Sequence, residues 1–142
     1  MTPEKLWLLA IRLHATGHPF LAKKVKQLNS FLYHNSLAVG AEVSRDVYLG
    51  HHGLGTVISD HVRVGRRAKI WHNVTMTVRS PTTSEHLIVI GDGVMVGAGA
   101  IIITPRGSGL TIGDGARIGA GAVVTHDVPP GATAIGPAAR II

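Results

Sequence analysis

Ile90-Gly91-Asp92-Gly93-Val94-Met95-Val96-Gly97-Ala98-Gly99-Ala100-Ile101-Ile102 is the stretch that decides the fold of this chain. Aliphatic side chains return in it at every sixth residue, at Ile90, Val96 and Ile102, and a second small or branched apolar residue follows four places on, at Val94 and Ala100. The same count runs outward in both directions. Upstream it passes through Leu37, Val43 and Leu49, then Ile58, Val64, Ile70 and Met76; downstream it resumes at Ile112, Ile118 and Val124. The second position is held by Ala41, Val47, Val62, Ala68, Val74, Ala116 and Ala122. Both positions face one interior. A six-residue unit with two inward residues and a Gly or charged corner cannot bury itself, so copies stack into a solenoid around a continuous apolar column.

The 142 residues make one domain, and no linker or low-complexity tract divides them. Apolar residues make up 45% of the chain and aromatic ones only 4%, a composition suited to narrow coils filled by Val, Ile, Leu and Ala. About a dozen inward aliphatics at roughly 1.5–3 kcal/mol each is a substantial gross burial, but the backbone ordering it opposes is of similar size. Oligomerisation that covers the flat outer faces of the coil is therefore expected. The chain has no cysteine, which excludes disulfides and thiolate metal sites. Its formal charge of +6 favours an anionic partner, and a phosphate-bearing cofactor fits that sign. Nucleic acid is not expected, because the aromatic stacking residues and basic motifs of such binders are missing.

Ahead of the repeats, residues 2–16 read as a helix with Thr2 as cap, Pro3 in the first position, and Leu6, Leu9, Ala10 and Leu13 on one face. Gly17-His18-Pro19 breaks it. A second helix from about Phe20 to Tyr33 groups Leu21, Val25, Leu28 and Leu32 and turns Lys23, Lys24 and Lys26 to solvent. The chain thus divides into a helical hairpin (1–36), a repeat region (37–127) with an inserted loop (77–89), and a C-terminal extension (128–142). The apolar run Leu6–Ile11 is too short to span a membrane, and nothing resembles a signal cleavage site. A basic amphipathic hairpin suits weak contact with a membrane surface, but packing on the coil or on a sister subunit is the favoured reading. A cytoplasmic location is expected. Three interruptions break the count: Leu49 to Ile58 with His51 and His52, Met76 to Ile90 with Arg79 and His86, and Ile102 to Ile112 with Pro105 and Arg106. Insertions on a solenoid are where function tends to be placed.

Four segments carry a family resemblance: His52 through Ile58, Asn73-Val74-Thr75-Met76, Ile90 through Ala100, and Ile112 through Arg140. They resemble the hexapeptide-repeat acyltransferases, and most nearly the serine O-acetyltransferase branch with its polysaccharide-modifying relatives. The resemblance implies a mainly β fold, a left-handed parallel β-helix of hexapeptide repeats with a short N-terminal α-helical hairpin, assembled as a homotrimer. The hand comes from the resemblance alone, since most parallel crossovers are right-handed. The small-sugar branch resembles a Val-Trp-Ile-Gly run followed closely by a catalytic His. Here that run reads Val94-Met95-Val96-Gly97, with neither Trp nor His. The large helical domain of full-length serine acetyltransferases is represented only by residues 1–36, so a hexamer built through that domain is not expected.

Acetyl transfer from a thioester to a hydroxyl needs a base for the hydroxyl proton and donors for the oxyanion. A neutral histidine suits the first task. The family register of Gly55, Val57 and Ile58 assigns it to His52, whereas counting from Leu49 assigns it to His51. The resemblance makes His86 the second histidine, which contacts the acceptor, with Arg79 and Asp46 as acceptor-binding candidates. Acetyl-CoA, the implied cosubstrate, lies between subunits along the later coils. Thr77, Ala98, Arg117 and Ala120 are its candidate contacts, Arg117 as a phosphate fork and Arg106 as a weaker one. Three features depart from the family. Its base-orienting carboxylate falls at Ser36 or Leu37, which leaves Asp46 or Asp60 as substitutes; its acid before the catalytic His is Gly50 or His51; and Thr77-Val78 replaces Gly-Gly. The tail also brings Pro137 one place early. The leading reading is an acetyl-CoA-dependent O-acetyltransferase acting on serine or a sugar hydroxyl, with no metal. A non-catalytic scaffold stays open, as does, less favoured, a γ-carbonic-anhydrase-like zinc hydratase. The spaced histidine ligands of the last are not found around His51, His52, His72 or His86.

Overall fold

The computed structural model describes residues 1–79 and 87–142. Among the described residues, two α-helices lead into fourteen strands of two or three residues, numbered here β1 to β14 along the chain. The strands are short because a corner arrives every six residues. Each strand pairs in parallel with the strand three places on, save that β12 pairs with β14, and three sheets result. The first stacks β1 (Ser36–Leu37), β4 (Val57–Ile58), β7 (Thr75–Thr77), β10 (Ile101–Ile103) and β13 (Val123–Val124). A second stacks β2 (Glu42–Val43), β5 (Val62–Val64), β8 (Ile88–Ile90) and β11 (Leu110–Ile112). The third stacks β3 (Tyr48–Leu49), β6 (Lys69–Ile70), β9 (Met95–Val96), β12 (Arg117–Ile118) and β14 (Thr133–Ala134).

Register follows the six-residue count. Leu37 lies under Ile58, Ile58 under Met76, Met76 under Ile102 and Ile102 under Val124, so one column of the core is a ladder of like side chains. Every repeat position named above is buried except Val43, which packs partly exposed against the core. The core also holds Ile88 and Leu110, which lie inside the second and third interruptions. The second interruption is therefore shorter than the 77–89 expected from the count: Thr77 ends β7, and β8 begins at Ile88.

At the corners, carboxylates tie one coil to the next. Asp60 accepts from the Gly40 N–H, Asp92 from Arg66, Asp114 from Asp92 and Asp127 from Thr111, all at 2.7–2.8 Å. The coils approach so closely there that a Cβ on Gly91 would lie 2.7 Å from the Asp114 nitrogen.

The helices, α1 (Pro3–Ala15) and α2 (Pro19–Tyr33), close the N-terminal end of the coil. The Lys5 N–H donates to the Thr2 hydroxyl at 3.4 Å, and Pro3 needs no partner in the first turn. From α1, Leu6, Trp7 and Ala10 are buried, and the Trp7 indole N–H donates to the Ala38 carbonyl at 2.8 Å on the first coil. Leu9, expected on the inward face, is exposed, and Trp7 takes the anchoring role. In α2 the departure is larger. Leu21, Leu28 and Leu32 are each about half exposed, and the buried residues are Ala22 and Asn29. Asn29 donates to the Pro3 carbonyl at 3.0 Å and accepts from the Asn35 amide at 3.3 Å. A small residue and a polar one let the two helices meet closely, which leaves the periodic leucines facing outward.

Candidate active site

The first interruption is a tight turn, Gly50–Gly53, between β3 and β4. Both histidines in it are left-handed, His51 at φ 50° and His52 at φ 59°. Such angles are strained for residues with a Cβ and persist where the surroundings hold them. Glycines fit closely on either side. Gly50 is buried beneath Trp71, whose Cγ would lie 3.2 Å from an added Cβ, and a Cβ on Gly55 would lie 1.9 Å from the Asn73 side-chain oxygen.

Successive left-handed residues send the two rings apart. His51 meets the His72 ring edge-on, with centroids 4.8 Å apart, and His52 stacks on Tyr33 at 5.6 Å. Tyr33 is itself held by its hydroxyl, which donates to the Met1 carbonyl. Both histidines are exposed, and with Thr2, Glu4, Tyr48 and Leu49 they line a hollow of about 370 Å³. Glu4 is the residue that spacing could not find. It comes from the first turn of α1, and its Oε1 accepts from the Leu49 N–H at 3.0 Å, one step before the turn.

The remaining candidates separate into groups. Ala98, Arg117 and Ala120 line one groove of about 450 Å³ on the third sheet, together with Trp71, Met95 and Thr133. The backbone is close there because Gly97 has no side chain; a Cβ would lie 2.6 Å from the Ala120 nitrogen. Outward residues stack in register along this sheet, Lys69 beside Met95 beside Arg117 beside Thr133. Arg117 forms no ion pair among the described residues. Trp71 joins the two regions, since it lines the groove and also covers Gly50 of the histidine turn.

Thr77 lies on the first sheet and is not among the groove-lining residues. Nearby, the exposed Arg79 donates its N–H to the buried Thr104 hydroxyl at 3.1 Å. Asp46 sits at a corner, where it accepts from the Arg67 N–H at 3.0 Å and the Ser44 hydroxyl at 2.8 Å, and those bonds hold its carboxyl below the usual range. Neither Asp46 nor Asp60 lines the histidine hollow. His86 lies outside the described residues. The buried Nδ1 of His72 has no hydrogen-bond partner among the described residues. No cluster of three His, Cys, Asp or Glu able to hold a metal ion occurs among them either.

A family model for the hexapeptide repeat of succinyl-transferase matches residues 87–126. The serine acetyltransferase of Helicobacter pylori is 34% identical over 134 residues, which cover 94% of this chain and 75% of that protein. The chloroplastic serine acetyltransferase 1 of Arabidopsis thaliana is 38% identical over 142 residues, covering 94% and 43%. Among solved structures, the soybean serine acetyltransferase apoenzyme superposes with a TM-score of 0.83 at 30% identity, over 96% of this chain and 55% of that one. Serine acetyltransferase from Brucella abortus strain S19, solved in complex with coenzyme A, gives 0.83 at 28% identity, over 97% and 53%. The chain thus spans about half the length of these solved proteins. The coil is the left-handed parallel β-helix with a short helical hairpin. With identity of this order sustained over nearly its whole length on one shared coil, the chain belongs to the serine acetyltransferase family of hexapeptide-repeat acyltransferases.

Proposed function

We propose that the protein is an acetyl-CoA-dependent O-acetyltransferase whose acceptor is the hydroxyl of serine or a similar small molecule, with the histidine turn as the source of the base. The observation that carries this reading is the junction at Trp71, which lets a ligand in the Ala98–Arg117–Ala120 groove end beside the turn that holds His51 and His52. Soybean serine acetyltransferase solved in complex with serine, and the Brucella enzyme solved with coenzyme A, support both substrates.

The small side chains at Ala98 and Ala120 leave backbone amides open to the pantetheine arm, and Arg117 meets a phosphate. The family register makes His52 the base. Its imidazole takes the proton of the acceptor hydroxyl as that oxygen bonds to the thioester carbonyl carbon. The carbon–sulfur bond then breaks, and the imidazolium returns the proton to the coenzyme A sulfur. Arg79 and, by the resemblance, His86 serve the acceptor.

A homotrimer accords with the first sheet, where outward Val57, Ile101 and Val123 are 42%, 39% and 62% exposed and lie in register around Thr75. An apolar stripe on a flat face of this kind suits a sister subunit. The cytoplasm, where acetyl-CoA is at hand, is the proposed location; no helix among the described residues is long and apolar enough to cross a membrane. Replacing His51 and His52 together by Ala should lower acetyl-CoA consumption with serine by about 10²–10⁴-fold, with the trimer unchanged in sedimentation. Activity that survives the double change overturns the assignment.

A further inference from the structure

We infer that the outward face of α2 is a docking surface for a lipid bilayer that carries anionic headgroups, with the helix lying flat in the interfacial layer.

Ala22 and Asn29 turn one side of α2 to the rest of the molecule, and the opposite side is exposed. That side carries Phe20, Leu21, Leu28, Phe31 and Leu32, whose spacing lines them up along nearly the whole helix. Phe20 and Phe31 are the chain's only phenylalanines, and they are the most exposed of the five, at 70% and 78%. An apolar stripe of this length on a small protein marks an interaction surface.

Charge decides what covers it. Residues 5–41 contain five Lys or Arg, at Lys5, Arg12, Lys23, Lys24 and Lys26, and no Asp or Glu. None of the five forms an ion pair among the described residues. Lys24 lies within the apolar stripe, its ammonium 5.5 Å from the centre of the Phe20 ring, and Lys23 flanks it. Two copies packed through this face would bring lysines together, with no carboxylate on either helix to answer them. At a bilayer surface the same lysines meet lipid phosphates while their methylene stems lie along the apolar side chains. Phe and Leu then enter the boundary between headgroups and acyl chains, the arrangement of an interfacial helix. With 15 residues, α2 is too short to span the hydrocarbon core. It ends at Tyr33, on which His52 stacks, so a docked helix holds the histidine turn close to the bilayer.

The test is sedimentation of the purified protein with vesicles, in the absence of acetyl-CoA so that turnover plays no part. One set of vesicles is phosphatidylcholine alone, and the other is phosphatidylcholine and phosphatidylglycerol in equal parts. Wild type should bind the anionic set at least about 10-fold more tightly than the neutral set. Phe20→Ser with Phe31→Ser should weaken anionic binding by about 10- to 100-fold. Lys23→Gln with Lys24→Gln should weaken it by about 10- to 30-fold. All four side chains are exposed, so neither pair of changes removes a core contact. Arg106→Gln with Arg140→Gln, exposed charges outside the hairpin, should change binding less than about threefold, because attraction to the surface fades within a Debye length. No binding to the anionic vesicles, equal binding to the neutral ones, binding indifferent to the phenylalanines, or a loss from the arginine pair as large as that from the lysines overturns the inference. So does a wild-type oligomer that Phe20→Ser with Phe31→Ser splits, since a second copy would then cover α2.

Discussion

The coil and the helical hairpin are built from equally regular patterns, yet one pattern predicts burial and the other does not. In the coil, Ile58, Ile70, Met76, Ile90, Val96, Ile102 and Ile112 are essentially inaccessible to solvent, as the six-residue count requires. In α2, a leucine stripe of helical period stays half-exposed, and the buried face is made by Ala22 and Asn29. The difference lies in what supplies the neighbour. A coil residue is covered by its own repeat one turn away, so the pattern carries its own partner. A helix face is covered by whatever it docks on. Here docking is set by Trp7 reaching the Ala38 carbonyl and Asn29 reaching Pro3.

Matched substitutions sharpen the contrast. Val96→Asp places a charge in the centre of the column and is expected to cost more than about 4 kcal/mol, enough to abolish cooperative folding. Leu28→Asp on α2 should cost less than about 1 kcal/mol by the same thermal or urea unfolding measurement. A comparable loss at both sites would erase the contrast and show that another surface covers α2.

An intermediate effect is expected where hairpin and coil touch. Trp7→Phe keeps most of the packing but leaves the Ala38 carbonyl without its donor, for a loss of about 1–2 kcal/mol. Because α1 also carries Glu4 to the Leu49 N–H, the same change should lower acetyl-CoA turnover, whereas loss of stability alone would leave turnover at low temperature intact.

The smallest effect concerns acid. Asp46 and Asp92 accept backbone N–H bonds from Arg67 and Arg66, and their carboxyls are held below the ordinary value of 3.8. A carboxyl depressed in the folded state contributes stability that is present above its unfolded value and lost as the pH falls through its folded one. The melting temperature should therefore drop as the pH is taken from 3.8 downward. Asp92→Asn should melt below wild type at neutral pH and converge with it in acid. A difference that persists unchanged at low pH would show that the carboxylate charge is not what ties these corners.

That three of the candidate cofactor contacts share one groove was legible for the same reason as the coil. Ala98 and Ala120 occupy equivalent places on neighbouring turns and Arg117 lies three residues before Ala120, so one groove gathers them. Thr77 fell outside that groove because its strand belongs to another face. Neither the directions of His51 and His52 nor the reach of Glu4 follows a period. The two left-handed residues follow a Gly50 that packs against Trp71, and Glu4 lies forty-five residues before the N–H that holds it. The sequence by itself determined the parallel coil, its inward ladder and the surface its later turns present, because in a repeat each residue's neighbour is written six residues or one turn away. Tertiary structure alone decided which way the two imidazoles point and which acid shares their hollow, because those contacts join elements whose relative placement is set by docking.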